Sequence, residues 1–305
     1  MYSDKGKLIC LVLGLVILVS GGVIAAEDAL LNSNQKAETD WEKAVVRAKG
    51  YGVAGDQIQN EARARILARE AAKTMAQRNL LEQIEGVNLN STQKISGAQV
   101  ESDVIKKRIS GTLRGARVVE EKEVSQGSYM VVMEVKLYGK NGVMKAVLPT
   151  VKEESAAEEE TMDSAAEQGT AEQTNNKGAN NETASDSAQE LAADYTGLII
   201  NTMNLAVEPA ISPKIYNAQG EVIYSVNTLN TDEVITNGIV GYNRSLNAAK
   251  ANPRIGENPL VINAEDVRGA TKADVVLSEA NAQKVLRAAN SSNIFSETKV
   301  IIVLN

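Results

Sequence analysis

The clearest periodic pattern lies in the alanine-rich stretch from Ala54 to Ile84. Small and apolar residues recur there at spacings of three and four, the period of one helix face; they are Ala64, Leu67, Ala68, Ala71, Ala72 and Met75. Four polar side chains fall on the opposite side, namely Arg63, Glu70, Lys73 and Gln77. The pattern predicts one long helix whose alanine face approaches a sheet closely and which stops at Gly86.

The register of this helix changes near its end, where Leu80, Leu81 and Ile84 fall close to the side that is polar earlier. Two interpretations remain open: the helix bends there, or its last turns are wrapped by other parts of the domain. We expect a functional surface at this end, formed by Gly86 and the polar loop after it.

Alternating apolar and polar positions predict strands on both sides of the helix. Trp41–Val53 reads as a first strand, preceded by a flexible polar segment, and its Gly50 and Gly52 indicate a bulge or a close backbone approach. Arg114–Val124 and Tyr129–Tyr138 read as an antiparallel hairpin.

Residues 87–101 are polar and predict a loop, with a short strand near 88–94. Residues 41–150 are therefore predicted to form an α+β domain of the β-α-β-β type, with one long helix on an antiparallel sheet.

Residues 151–193 differ in composition from the rest of the chain. Between residues 153 and 190, eleven carboxylates stand against one lysine, a net charge of −10, and Met162 is the only large apolar side chain. Such a segment buries too little apolar surface to offset its ordering entropy. We predict a disordered acidic linker, which also leaves the remainder of this chain of net charge −7 slightly basic.

Residues 194–305 predict a second domain of the α/β or α+β class with a mixed sheet. Apolar runs predict strands at residues 196–201, 258–264, 274–277 and 299–304, and a hairpin joins 214–217 to 221–225. Residues 238–249 are ambiguous, with a short helix after Gly241 as one interpretation. Ser278 caps a predicted helix at Glu279–Ala289.

The first residues have the layout of an export signal. Lys5 and Lys7 precede the apolar run Leu8–Val19, and small residues follow as far as Ala26. This order is typical of a secretory signal peptide over residues 1–26. The run Leu8–Ala26 is also just long enough to span a bilayer, so a retained anchor is the alternative. Both interpretations place the rest of the chain outside the cytoplasm, in the periplasm or cell envelope, with membrane contact only if this segment is kept.

Composition narrows the chemistry. The 305 residues contain no histidine and a single cysteine, Cys10, and aromatic residues make up 3%. The usual general base, cysteine–histidine nucleophiles and the common zinc ligands are therefore missing. Net negative charge argues against nucleic acid as a partner. We therefore predict that the protein is not an enzyme and that it binds neither a cofactor nor a metal ion.

Charged surfaces are the remaining candidates for function. Besides Arg63, Glu70, Lys73 and Gln77, we predict a partner surface at Lys106, Lys107 and Arg108. Together with Arg114 and Arg117, these cations also suggest an anionic envelope polymer as an alternative partner. The cluster Glu120, Glu121 and Glu123 is interpreted as a solvated strand face rather than a pair of catalytic carboxylates.

The first domain resembles the Lpp-twenty lipoprotein family and the related N-terminal domain of the flagellar assembly protein FlgT. The resemblance rests on the strand from Trp41 to the alternating Gly50 and Gly52, on the helix ARARILAREAAKTMAQRNLLEQIEGV, and on the segments ESDVIKKRISGTLRGARVV and SYMVVMEVKLYG. The second domain, with TGLIIN, EPAISPKIYNAQGEVIY and NPLVINA, is similar to a domain that accompanies it in secreted envelope proteins. The chain departs from the lipoprotein members because no cysteine follows its apolar segment.

The resemblance implies an envelope location and structural or assembly roles. We therefore expect a non-enzymatic exported protein that acts through protein–protein contacts with envelope proteins, including flagellar or outer-membrane components. The alternative is a binding module for a small ligand or cell-wall polymer, which would use the irregular region Pro209–Pro213.

Overall fold

The computed structural model describes residues 35–55, 57–97, 102–166, 194–202 and 205–304. These residues belong to one compact unit. The predicted signal peptide, Cys10 and most of the predicted linker lie outside the described residues. No described helix is both long enough and apolar enough to cross a membrane.

The N-terminal half is built on a four-stranded antiparallel sheet in the order β1-β2-β4-β3. Its strands are Ala37–Asp40, Val45–Val53, Arg117–Ser125 and Ser128–Lys136, numbered β1 to β4 along the chain. The predicted antiparallel sheet and its hairpin are confirmed, with Gly127 at φ 76° in the turn. Strand β1 is additional: it pairs with β2 and covers residues that the pattern places before the first strand.

The predicted long helix is confirmed as α1, Glu61–Glu85, although it begins at Glu61 and not at Ala54. Asn60 caps it, because its side chain accepts a hydrogen bond from the Arg63 N–H at 3.0 Å. Gly86 follows the last helical residue as predicted, but its φ of −81° is right-handed, so its freedom to adopt positive φ is not what ends the helix.

The buried face of α1 is a row of every fourth residue: Ala68, Ala72, Ala76, Leu80 and Ile84. The predicted face is thus correct at Ala68 and Ala72. It is wrong at Ala71, which is exposed, and at Leu67 and Met75, which are 43% and 42% exposed. Leu80 and Ile84 continue this row rather than leaving it. Because the row turns slowly around the helix, its last turns meet helix α2 and the 3-10 turn at residues 95–97, in agreement with the wrapping interpretation.

The contact between β2 and α1 is a backbone-to-backbone approach. A Cβ added at Gly50 would overlap Ala72 O and Ala76 N, and one added at Gly52 would overlap Ala68 O and Ala72 N. Only glycine on the strand and alanine on the helix fit this spacing, which is why the larger Leu67 and Met75 lie on the flanks. Of the two predicted roles for these glycines, close approach is the one observed.

Two further helices complete this half, and the pattern predicts neither. Helix α2 spans Ser102–Leu113 and helix α3 spans Val143–Ala166. Helix α3 therefore runs into the first part of the segment whose composition predicts a linker. The first turns of α3 are held in the core by the buried side chains of Val147, Leu148 and Val151. The helix, once started there, continues into the acidic segment.

The second half contains two four-stranded sheets. The first has parallel strands in the order β8-β12-β5-β9; in chain order, β5, β8, β9 and β12 are Gly197–Asn201, Gly241–Asn243, Pro259–Asn263 and Val300–Val303. The second is mixed, in the order β10-β11-β6-β7; its strands β6, β7, β10 and β11 are Ile215–Tyr216, Val222–Tyr224, Asp266–Arg268 and Asp274–Val276. The predicted strands, hairpin and mixed sheet are confirmed.

Three helices accompany these sheets: α4 at Thr231–Asn237, α5 at Leu246–Lys250 and α6 at Glu279–Ser291. Ser278 caps α6 as predicted, accepting from the Asn281 N–H at 3.3 Å. The central strands β5 and β12 are buried on both faces, one against α5 and the other against the main core, which explains their unbroken apolar runs.

The main core extends across both halves. One cluster of buried side chains includes Val46, Ala72 and Leu137 from the first half and Ile200 and Tyr242 from the second. Burial of this apolar surface therefore couples the two halves energetically.

We predict that Gly52→Ala lowers the free energy of unfolding by about 2–4 kcal/mol, at the upper end for an overpacked core, because the new methyl group meets helix backbone that cannot rotate away. Urea unfolding followed by circular dichroism measures the loss. Gly55→Ala is the matched control, since nothing lies within 4 Å of a Cβ at that position. Equal effects of the two substitutions would contradict the close-approach interpretation.

Candidate functional site

The predicted surface residues of α1 lie on its solvent side. Arg63, Glu70 and Gln77 are exposed and Lys73 is half-buried. Lys73 Nζ donates to Glu70 Oε1 at 3.0 Å, one helical turn away. Two of the four predicted residues therefore neutralise each other on the helix itself.

Other charges of α1 are paired with strand β3. Arg69 lies 2.8 Å from Glu121 and donates two hydrogen bonds to its carboxylate, while Arg65 lies 3.5 Å from Glu123. Glu120, the third member of the predicted acidic cluster, pairs with Lys122 at 3.4 Å. These carboxylates are thus partners of neighbouring cations, which opposes their use as an acid–base pair.

Helix α2 carries the remaining predicted surface residues. Ile105, Ile109 and Leu113 face the core, and Lys106, Lys107 and Arg108 are exposed between them. Unlike Arg65, Arg69 and Lys73 of α1, these three have no ion pair within the described part of the chain. Among the described side chains, the outer side of α2 is therefore basic.

A cavity of about 470 Å³ lies beside α2 and is lined by cations from three parts of the chain. We name it the basic groove, after Arg108, Arg114, Lys140 and Lys145. A second cavity of about 320 Å³ continues it and shares Gly115, Lys140, Asn141 and Gly142. The groove brings together Arg108 and Arg114, which the sequence singled out, with two lysines that it did not.

A row of alternating charges crosses the whole N-terminal sheet on the side away from α1. Glu38, Arg47, Glu134 and Arg117 are cross-strand neighbours from β1 to β3. Glu134 is the centre: Arg47 Nε donates to it at 2.9 Å and Arg117 Nη2 at 2.6 Å. With 3% of its side chain exposed, Glu134 depends on these two arginines for its negative charge.

The pKa of Glu134 shows the balance of these forces. Burial raises the pKa of this carboxyl group, but the hydrogen bonds and positive charges of Arg117 and Arg47 together outweigh burial and lower the pKa below its usual value. Glu134 therefore stabilises the folded protein in its charged form.

The polar loop after Gly86, where the sequence predicts a functional surface, instead contacts the second half. The Ile211 N–H donates to Asn88 O at 3.0 Å, and the Thr271 N–H donates to Ser91 O at 2.9 Å. The predicted ligand region Pro209–Pro213 takes part in the same contact, with Asn88 Nδ2 donating to Pro209 O at 3.2 Å. Both segments are largely buried against each other and leave little surface for a ligand.

A cleft of about 810 Å³ lies at another part of the contact between the halves. We name it the junction cleft. Trp41 meets Tyr242 edge to face across it, with ring centroids 5.3 Å apart at 73°. Glu42 Oε1 accepts from the Arg244 N–H at 2.8 Å, and Lys299 pairs with Glu297 at 2.6 Å. Most charged groups of this cleft therefore already have protein partners.

Arg254 holds one wall of the junction cleft. Its guanidinium donates to Thr298 O at 2.7 Å, Asn237 O at 2.6 Å and Gly238 O at 2.9 Å. Asn237 ends helix α4, so a cation there also complements the negative end of the helix dipole. Burial lowers the pKa of Arg254 and raises that of the neighbouring Tyr138 to about 12, so the tyrosine remains neutral.

Arg254, Glu134, Lys140 and Lys145 are the residues that the sequence interpretation missed. For Glu134 a signal existed, because it is the one carboxylate in the apolar run of β4 and its alternation places it opposite a charged residue of β2. Arg254 and the two lysines lie in turns or at a helix start, where no periodic pattern marks them. Within the described residues, no group of three acidic, cysteine or histidine side chains is placed to hold a metal ion.

Residues 197–305 match the family model described as Treponema pallidum Tp0624, second domain. The match begins at Gly197, the first residue of β5, and covers less than half of the chain. No curated protein matches the chain. The second half is therefore similar to a recognised domain family, and the resemblance of the first half to the Lpp-twenty family stays a prediction.

We predict that Glu134→Gln costs about 3 kcal/mol of unfolding free energy at pH 7, because it leaves the buried Arg47 with only the more distant carboxylate of Asp40, 3.8 Å away. Because the pKa of Glu134 is lowered by folding, its contribution is present above the unfolded pKa of about 4.3 and is lost as pH falls through the lower folded value. Urea unfolding of the wild type and of Glu134→Gln at pH 7 and in acid should show that the difference between their unfolding free energies becomes smaller as pH falls. A constant difference would contradict the role of the charged form.

Proposed function

We propose that this chain is a non-enzymatic exported protein that acts by contact with another envelope protein, through the outer side of α2. The observation that carries the proposal is the set of exposed, unpaired cations Lys106, Lys107 and Arg108. Interfaces between proteins are commonly oriented by exposed charge of one sign. A partner with an acidic surface fits this side of the molecule.

The charges of α1 support the choice of α2. Arg65, Arg69 and Lys73 are occupied by carboxylates of the same chain, so binding a partner through them would first break these pairs. The cations of α2 can be engaged without that cost. Of the seven predicted residues, Glu70 and Lys73 are occupied by each other. Lys106, Lys107 and Arg108 are the largest group of adjacent exposed cations that remains.

Two features of the sequence support the remaining parts of the proposal. Residues 1–26 have the layout of an export signal, and the chain has no histidine and a single cysteine. The resemblance of the first domain to the Lpp-twenty family and to FlgT makes flagellar or surface-structure assembly the process to examine first.

The alternative, a binding module for a small ligand or cell-wall polymer, is favoured by the junction cleft. Trp41, packed on the buried Tyr242, places an aromatic side chain at the cleft in a chain with few aromatic residues. Because most charged groups of the cleft are already paired, a neutral polar ligand fits it better than an ion.

We predict that a photo-crosslinking residue at Lys107 forms a discrete adduct with one envelope protein in intact cells. The same residue at Arg287, an exposed cation on α6, should not. Once that protein is purified, Lys106→Glu with Lys107→Glu should weaken its binding by at least about tenfold, because two attractive charges become repulsive.

The control is Arg287→Glu with Lys250→Glu, which makes the same charge change on other exposed helices. It should leave binding unchanged. Equal adducts at Lys107 and Arg287, or equal binding by both double variants, would rule out α2 as the contact surface.

A further inference from the structure

We propose that the basic groove is a binding site for a phosphate group, presented by a soluble metabolite or a lipid headgroup. This site goes beyond the protein contact proposed above. It uses Arg114, Lys140 and Lys145 together with Arg108 at the edge of the docking surface.

The charge of the groove is one-sided. Every charged side chain that lines it is a cation, and all four are exposed. In the described part of the chain, none of the four has a carboxylate partner. The junction cleft differs, because Glu42, Glu233 and Glu297 lie among its lysines. In a chain of net charge −7, such a local excess of positive charge attracts an anion selectively.

The start of helix α3 adds to this excess. Lys145 lies in the first turn of this 24-residue helix, and that turn contains no acidic residue. The first turn carries the positive end of the helix dipole, so a lysine there opposes the usual preference for carboxylates. A bound anion would be attracted by the positive end of the helix dipole and by the charge of Lys145, and would reduce the repulsion between them.

The arrangement of the cations favours phosphate over a carboxylate. Arg108 belongs to α2, Arg114 follows that helix, and Lys140 and Lys145 belong to the turn and helix after β4. A tetrahedral phosphate directs oxygens toward several sides and can accept from such separate elements at once, whereas a carboxylate has two oxygens in one plane. Arginine forks and a helix start are common parts of phosphate sites.

Titration calorimetry of the full chain at constant ionic strength tests the proposal, with inorganic phosphate, glycerol 3-phosphate and acetate as probes. We expect both phosphates to bind more tightly than acetate. Lys140→Gln with Lys145→Gln should weaken phosphate binding by at least about tenfold, because two of four charged partners are lost. Lys250→Gln with Arg287→Gln is the control for net charge and should bind like the wild type.

Flotation with phosphatidylcholine vesicles, with and without phosphatidylglycerol, distinguishes the sources. Groove-dependent binding to the anionic vesicles assigns a lipid headgroup, and groove-dependent binding of soluble phosphates alone assigns a metabolite. Two results would overturn the proposal. One is a Lys140→Gln, Lys145→Gln variant that binds soluble phosphates and anionic vesicles as well as the wild type does; the other is acetate that binds as tightly as phosphate. The Lys106→Glu, Lys107→Glu variant should keep most of its phosphate binding, so failure of this site and of the protein contact are separate results.

Discussion

The close approach of strand β2 to helix α1 is the constraint on which the other contacts depend. Gly50 and Gly52 let the helix backbone lie against the strand backbone, with Ala68, Ala72 and Ala76 filling the narrow space. A larger residue on either side would lift the helix away from the sheet. The end of α1 would then move, and with it α2 and the loop after Gly86 that meets the second half.

Charge is distributed so that some cations serve the fold and others remain free. Arg47 and Arg117 hold the buried Glu134, and Arg65 and Arg69 attach α1 to the exposed edge strand β3. Charged side chains on an edge strand also discourage pairing with a further strand. The cations of α2 and of the basic groove have no such structural task, and both proposed functions rest on this division.

Strong periodicity made much of the fold predictable. The long helix, the hairpin of β3 and β4, and the strands β5, β9 and β12 follow from apolar spacing and turn residues. The buried face of α1 was only partly predictable from the helix sequence. Ala76 is buried because it faces Gly50 of β2, and the pattern within the helix carries no information about that contact. The α2 surface was predicted from its run of cations. The basic groove was not, since Lys140 and Lys145 approach Arg108 only through the tertiary fold.

Native-state hydrogen exchange of Gly52→Ala and the wild type tests most directly whether this one contact supports the whole described unit. Because β5 and β12 are buried central strands, we expect their slowest amides to exchange through global unfolding and to report on the stability of the entire unit. We expect them to accelerate by the same factor as the slowest amides of α1 and β2, although residue 52 lies in the first half. Unchanged exchange in β5 and β12, with faster exchange confined to α1 and β2, would contradict this account.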